Sequence, residues 1–180
     1  MKTILPKLIK KIKLKFNRFN FLLENNVSVG CNFKLANYTT TLIHPTSKII
    51  IGDYVDIRNY FNITTGKSAK LLIGNNVFFN NCCSINCLDS ISIGDNTLFG
   101  ENVKLYDHNH KYNDEKIFYQ SFTTSPIVIG KNCWLGSNVI ILKGVTIGDN
   151  TIIGAGCVIH KNIPSNSVIV NKQDHLKISI

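Results

Sequence analysis

From Ile129 the chain reads IGKNCW LGSNVI ILKGVT IGDNTI IGAGCV IHKNIP, and an aliphatic residue returns every six positions at 129, 135, 141, 147, 153 and 159. Four places after each leading residue stands a second inward candidate: Cys133, Val139, Val145, Thr151, Cys157 and Ile163. The same hexads start upstream at Ile51, Ile57 and Ile63, at Ile73, Phe79 and Ile85, and at Ile93, Phe99 and Leu105, with a weaker set at Val29 and Leu35. A period of six suits neither an amphipathic helix nor an alternating hairpin strand. It suits a triangular all-β solenoid in which each hexad is one short strand and one turn. The leading aliphatic then points inward, and Gly or Asn in the turns supplies the bends. Three hexads make a coil, which predicts about five or six coils, lengthened by insertions around 64–72 and 86–92.

The register sorts the six cysteines. Cys83, Cys133 and Cys157 fall on inward positions and read as small buried hydrophobes, whereas Cys31, Cys82 and Cys87 fall on turn or outer positions and read as free thiols. The spacing is not that of a small secreted disulfide scaffold, and a cytoplasmic, reduced protein is expected.

Charge divides the chain. Of the formal +9 over 180 residues, residues 1–24 hold +6, from Lys2, Lys7, Lys10, Lys11, Lys13, Lys15 and Arg18 against Glu24. Leu5, Leu8, Ile9, Ile12, Phe16 and Phe19 share one helical face there, so residues 1–26 form a basic amphipathic cap segment. Such a helix covers the open end of the first coil or lies on an anionic membrane surface, as a peripheral contact at its inner face. The two roles are compatible. No nucleic-acid module accompanies the charge, and nucleic acid is not an expected partner.

The solenoid spans residues 27–170, followed by a tail at 171–180, and it breaks once, at an inserted loop over 106–128. That stretch carries Asp107, His108, His110, Tyr112, Phe118, Tyr119 and Phe122. Long insertions in compact domains commonly carry function.

Two stretches, GENVKLYDHNHKY (100–112) and SPIVIGKNCWLGSNVIILKGVTIGDNTIIGAGCVIHKNIP (125–164), resemble the hexapeptide-repeat acyltransferases, in particular the sugar O-acetyltransferase branch. The resemblance implies a left-handed parallel β-helix associated as a homotrimer with active sites between neighbours. The left hand comes from the family alone, because parallel crossovers in general favour the right. It further implies an acetyl-CoA-dependent O-acetyltransferase acting on a saccharide hydroxyl, of a surface polysaccharide or its precursor. Transfer would be direct, within a ternary complex.

Histidine suits the base, with a reference pKa of ~6.5. His110 lies at the family's offset from Val103 and is the expected base, and His108 orients it or contacts the acceptor. By the same resemblance Asn80 and Asp89 bind the acceptor, although Asn80 also reads as one more solenoid-turn asparagine. Trp134, Gly136, Ser137, Ala155 and Lys161 would meet coenzyme A: Trp134 shaping the slot, Ser137 and Ala155 at the pantetheine, Lys161 at the phosphates. A backbone N–H of Ser137 or Gly136 would hold the oxyanion. No metal site is expected. Three alternatives stay open: an N-acetyltransferase of an amino sugar or nucleotide-sugar, a γ-type carbonic-anhydrase-like zinc enzyme, and a non-enzymatic scaffold.

Overall fold

The computed structural model describes residues 21–22 and 24–172. The chain winds into a left-handed parallel β-helix of about six triangular coils. Three parallel sheets form its faces. The first face stacks Val27–Val29, Lys48–Ile51, Lys70–Ile73, Ser90–Ile93, Ile127–Ile129 and Thr146–Ile147. The second runs from Lys34–Leu35 through Phe78–Phe79 and Trp134–Leu135 to Val168–Ile169, and the third from Thr40–Leu42 through Ser84–Cys87 to Val158–Ile159. Below, the first corner joins the first face to the second, the second corner joins the second face to the third, and the third corner returns to the first face.

The period of six is the packing rule. Ile51, Ile57, Ile63, Ile73, Phe79, Ile85, Ile93, Phe99 and Leu105 are all buried, as are Ile129, Leu135, Ile141, Ile147, Ile153 and Ile159. In the axis the aromatic rings stack, Phe79 on Phe99 at 4.3 Å and Phe61 against Phe79 at 5.0 Å. Burial of such side chains contributes about 1.5–3 kcal/mol each against the entropy of ordering the coil.

The expected insertions are lengthened strands. Ile51 pairs with Ile73 and Ile73 with Ile93, whereas Ile129 pairs with Ile147 in a coil of three plain hexads. The longer coils hold four-residue strands such as Lys70–Ile73 and Ser84–Cys87 where the later coils hold two. This corrects one cysteine. Alternation along Ser84–Cys87 turns both Ile85 and Cys87 inward, so Cys87 is fully buried, not an outer free thiol. Cys83, Cys133 and Cys157 are buried as expected, and Cys31 and Cys82 are exposed.

Gly and Asn divide the work of the bends. The left-handed residues at the first corner are Asn32, Tyr54, Asn76, Asn96, Asn132, Asn150 and Asn166, not the glycines two places before the first six of them. Asparagine adopts that conformation readily because its short side chain bonds locally. Gly94 is required for another reason: a Cβ there would stand 2.7 Å from the Gly130 carbonyl carbon of the next coil. Side chains then lock coil to coil, with the Asn75 amide N–H donating to Asp95 Oδ1 at 2.8 Å and the Lys131 amide N–H to Asp149 Oδ1 at 2.7 Å.

The insertion is no irregular loop. It is an antiparallel hairpin of His108–Tyr112 and Ile117–Thr124, with a register shift between His110 and Tyr112. At the N-terminal end Phe21, in a helical turn with Leu22, is fully buried and lies 6.3 Å from the Phe33 ring. The rest of the expected amphipathic helix lies outside the described residues. Among those described, no helix is long and apolar enough to cross a membrane.

Candidate active site

The hairpin leaves the solenoid at the third corner, directly after the strand Lys104–Tyr106. Asp107, which stands between that strand and the hairpin, is fully buried. The preceding coil binds it there: the Leu88 amide donates to Oδ1 at 2.8 Å and the Asp89 amide to Oδ2 at 2.7 Å. A buried carboxylate needs such partners, and two backbone donors supply them. His108 Nδ1 lies 3.1 Å from Asp107 Oδ1, and the His108 side chain is 17% exposed. At the hairpin's other end the Ser125 amide donates to the Asp107 carbonyl at 2.9 Å, closing its base.

His108 and His110 lie two apart on one strand and so share a face. Phe122 packs against both rings, at 5.2 Å from His108 and 4.7 Å from His110. His110 Nδ1 lies 3.2 Å from the Phe118 carbonyl, and Tyr119 stacks beside its ring at 6.4 Å. A carboxylate and a carbonyl only accept, so in both neutral rings Nδ1 carries the proton and Nε2 keeps its lone pair. That is the tautomer a general base requires.

The expected donor residues stand elsewhere. Gly136 and Ser137 form the second corner, and Ala155 lies one coil on: the Gly156 amide donates to the Ser137 carbonyl at 2.9 Å, and a Cβ on Gly136 would be 2.7 Å from the Ala155 nitrogen. The Gly136 N–H is committed to the Ile153 carbonyl at 2.7 Å, so of the two expected oxyanion donors Gly136 has no free N–H to offer. Ser137 lines an open groove of about 530 Å3 with Asn59, Tyr60, Asn81, Glu101 and Asn102, which also takes in Cys82 and Asn138. Trp134 is outward on the second face and 53% exposed. Lys161 is exposed and follows the third-face strand Val158–Ile159, at the corner of the histidines.

The candidate residues therefore lie on two different corners of one chain. Ser137, Ala155 and Asn80 belong to the second corner; His108, His110, Asp89 and Lys161 belong to the third. Asn80 has its Oδ1 occupied by the Asn81 amide at 2.9 Å. Asp107 is the residue to which sequence reasoning gave no role; its adjacency to His108 was the available signal. The buried thiols are poor nucleophiles. Burial pushes the Cys83 thiol up to about 11, and burial followed by the Asp107 carboxylate raises that of Cys87 further. Among the described residues no three His, Cys, Asp or Glu side chains are grouped to hold a metal ion.

The family described as bacterial transferase hexapeptide (six repeats) matches residues 126–161. Galactoside O-acetyltransferase of Escherichia coli (strain K12) is 43% identical over 100 residues, covering 56% of this chain and 49% of that one. Nodulation protein L of Rhizobium meliloti (strain 1021) is 35% identical over 120 residues, 67% of this chain and 64% of that one. The chain thus spans less than two thirds of the length of these relatives. A galactoside acetyltransferase in complex with coenzyme A superposes with a TM-score of 0.51 at 32% identity, over 73% of this chain and 60% of that chain. AntD, an N-acyltransferase from Bacillus cereus, shares the fold with a TM-score of 0.70 at 19% identity, over 87% of this chain and 83% of that chain.

Proposed function

We propose that the protein is an acetyl-CoA-dependent O-acetyltransferase of a saccharide hydroxyl, working as a trimer whose active sites form between neighbouring copies. The observation that carries this reading is the separation of the half-sites. The hairpin presents two histidines with Nε2 lone pairs, yet the groove that holds Ser137 lies at another corner of the same triangle. A neighbour's groove facing the hairpin completes the site. The likeness to galactoside O-acetyltransferase supports the donor and the acceptor class.

In this mechanism His110 Nε2 takes the proton of the acceptor hydroxyl as its oxygen attacks the thioester carbonyl carbon. The Ser137 amide N–H donates to the oxyanion of the tetrahedral species. Collapse breaks the carbon–sulfur bond, and the imidazolium returns the proton to the departing thiolate. Asp107 fixes the His108 ring beside His110, where it orients the base or meets the acceptor. Trp134 shapes the slot, Lys161 faces the coenzyme phosphates, and Asn80 and Asp89 lie on the acceptor side.

The test is release of free thiol from acetyl-CoA against a panel of sugars, amino sugars and nucleotide-sugars, with the product's acetyl group located by NMR. An O-acetylated sugar supports the reading. Exclusive N-acetylation replaces it with the amino-sugar alternative, and no thiol release with any acceptor refutes it.

A further inference from the structure

We propose that the second-corner groove continues past the point of transfer into a subsite for another ring of an uncharged oligosaccharide acceptor, with Tyr60 as its platform. This extends the saccharide reading above and rests on it. The corner is a column of left-handed residues, Tyr38, Tyr60, Cys82, Asn102 and Asn138, one per coil. Tyr38 and Tyr60 stack with centroids 5.1 Å apart and planes 19° from parallel. The aromatic stack stops at Cys82, whose coil is tied to that of Tyr60 by the Cys82 amide donating to the Asn59 carbonyl at 2.9 Å. Tyr60 thus has one face on Tyr38 and the other toward a small thiol, is 55% exposed, and lines the groove.

Order along the corner gives the groove a direction. Ser137, with Ala155 one coil beyond it, marks the donor end; Glu101 and Asn81 follow, and Asn59 with Tyr60 lies at the other. An acceptor entering opposite the donor passes over Tyr60. The chemistry there is that of sugar binding. An exposed ring face receives the C–H face of a pyranose, and the carboxamides of Asn59, Asn81 and Asn102 both donate to and accept from hydroxyls. Among the described residues Glu101 is the only charged side chain lining the groove. A carboxylate repels phosphate, so the subsite takes a neutral sugar ring and not a nucleotide-linked one.

The probes are galactose, lactose and the linear β-galacto-oligosaccharides of three and four residues, with binding read by saturation-transfer NMR on the wild type and on Tyr60→Asn. Asparagine already occupies this column, so that variant keeps the left-handed turn. Affinity should rise with chain length in the wild type, and the longest oligomer should bind Tyr60→Asn on the order of tenfold more weakly, as loss of one aromatic contact implies. Cys82→Tyr, which covers the open face of Tyr60, should abolish the length dependence, while Tyr60→Phe should retain it. Length-independent binding, equal binding by wild type and Tyr60→Asn, or no binding of any of these sugars overturns the subsite. Acetyl-CoA affinity, measured in parallel by calorimetry, separates the two readings. Intact coenzyme binding and sugar turnover with flat length dependence defeat the subsite alone, and loss of coenzyme binding defeats the acetyltransferase reading.

Discussion

At the second corner every coil turns in four residues, and the column from Asn59 through Asn81, Glu101 and Ser137 to Ala155 never leaves register. At the third corner the chain departs after Tyr106, runs out and back as a hairpin, and rejoins the first face at Ile127. The two corners border the same third face. A corner in register makes a groove along the solenoid, with room for a donor at its Ser137 end and an acceptor at its Tyr60 end. A corner that breaks register makes an arm, suited to carrying side chains to a groove on a neighbouring copy. In the proposed mechanism the repeat supplies the length of the site and the interruption supplies its chemistry.

The largest effect expected comes from the arm. His110→Ala should lower turnover by about 10²–10⁴-fold, the range for loss of a positioned general base, with the trimer unchanged by light scattering. His108→Ala should cost less, because the base remains. If His108→Ala is the more damaging of the two by thiol release, the roles of the histidines are exchanged.

Next comes a direct test of whether arm and groove belong to different copies. His110→Ala chains and chains blocked in the groove by Ser137→Trp should each be nearly inactive. Co-refolded in equal amounts, they should recover activity at about one quarter of the sites, since each site then draws its arm and its groove from independently chosen copies. No recovery would place both halves of the site in one chain.

Much of this contrast was legible in the sequence, and the part that was not has a physical cause. The hexads at Ile129, Leu135 and Ile141 announce the coils because each inward position demands an aliphatic residue of nearly fixed size. The hairpin has no such period. Its residues pair across a turn and meet no shared core, so Ile117–Thr124 carries no inward stripe to read. Cys87 was misplaced because a four-residue strand inserts one more inward position than a plain hexad allows. The distribution of Ser137 and His110 between corners depends on counting faces through the insertion, which the motif alone does not provide. The histidine offset from Val103 was plain, but the anchor beneath it was not: Asp107 is held by amides of Leu88 and Asp89, a coil earlier.

That anchor predicts an intermediate effect. Asp107→Asn keeps the shape but replaces one acceptor oxygen by an amide that meets a backbone N–H, and it withdraws the carboxylate from His108 Nδ1. Leaving a buried donor unpaired costs about 1–3 kcal/mol, so the melting temperature should fall by several degrees. Turnover should fall about tenfold, with the pH profile of kcat displaced, if Asp107 also positions the histidines. A lower melting temperature with an unmoved profile would reduce Asp107 to a structural clasp of the arm.

The smallest effect contrasts the thiols inside the two corners. Cys83 lies just past the groove corner, its Sγ 3.1 Å from the Gly100 carbonyl, and Cys87 lies beneath the arm with Asp107 among its neighbours. Burial raises the Cys83 thiol from its ordinary value near 9 to about 11. The folded state therefore holds this proton more tightly than the unfolded chain. Stability from this group is complete below pH 9 and declines as pH rises from there toward 11, where the unfolded chain has already ionised. The decline amounts to about 3 kcal/mol for Cys83. Cys83→Ala should flatten the fall of melting temperature over that window while lowering stability at neutral pH through the small cavity it leaves. Cys87→Ala should flatten it further and to higher pH, because the carboxylate of Asp107 adds to burial at that thiol. Equal pH slopes in the two variants would show that the arm's buried carboxylate has no electrostatic reach into the core, and the two corners would then differ in shape alone.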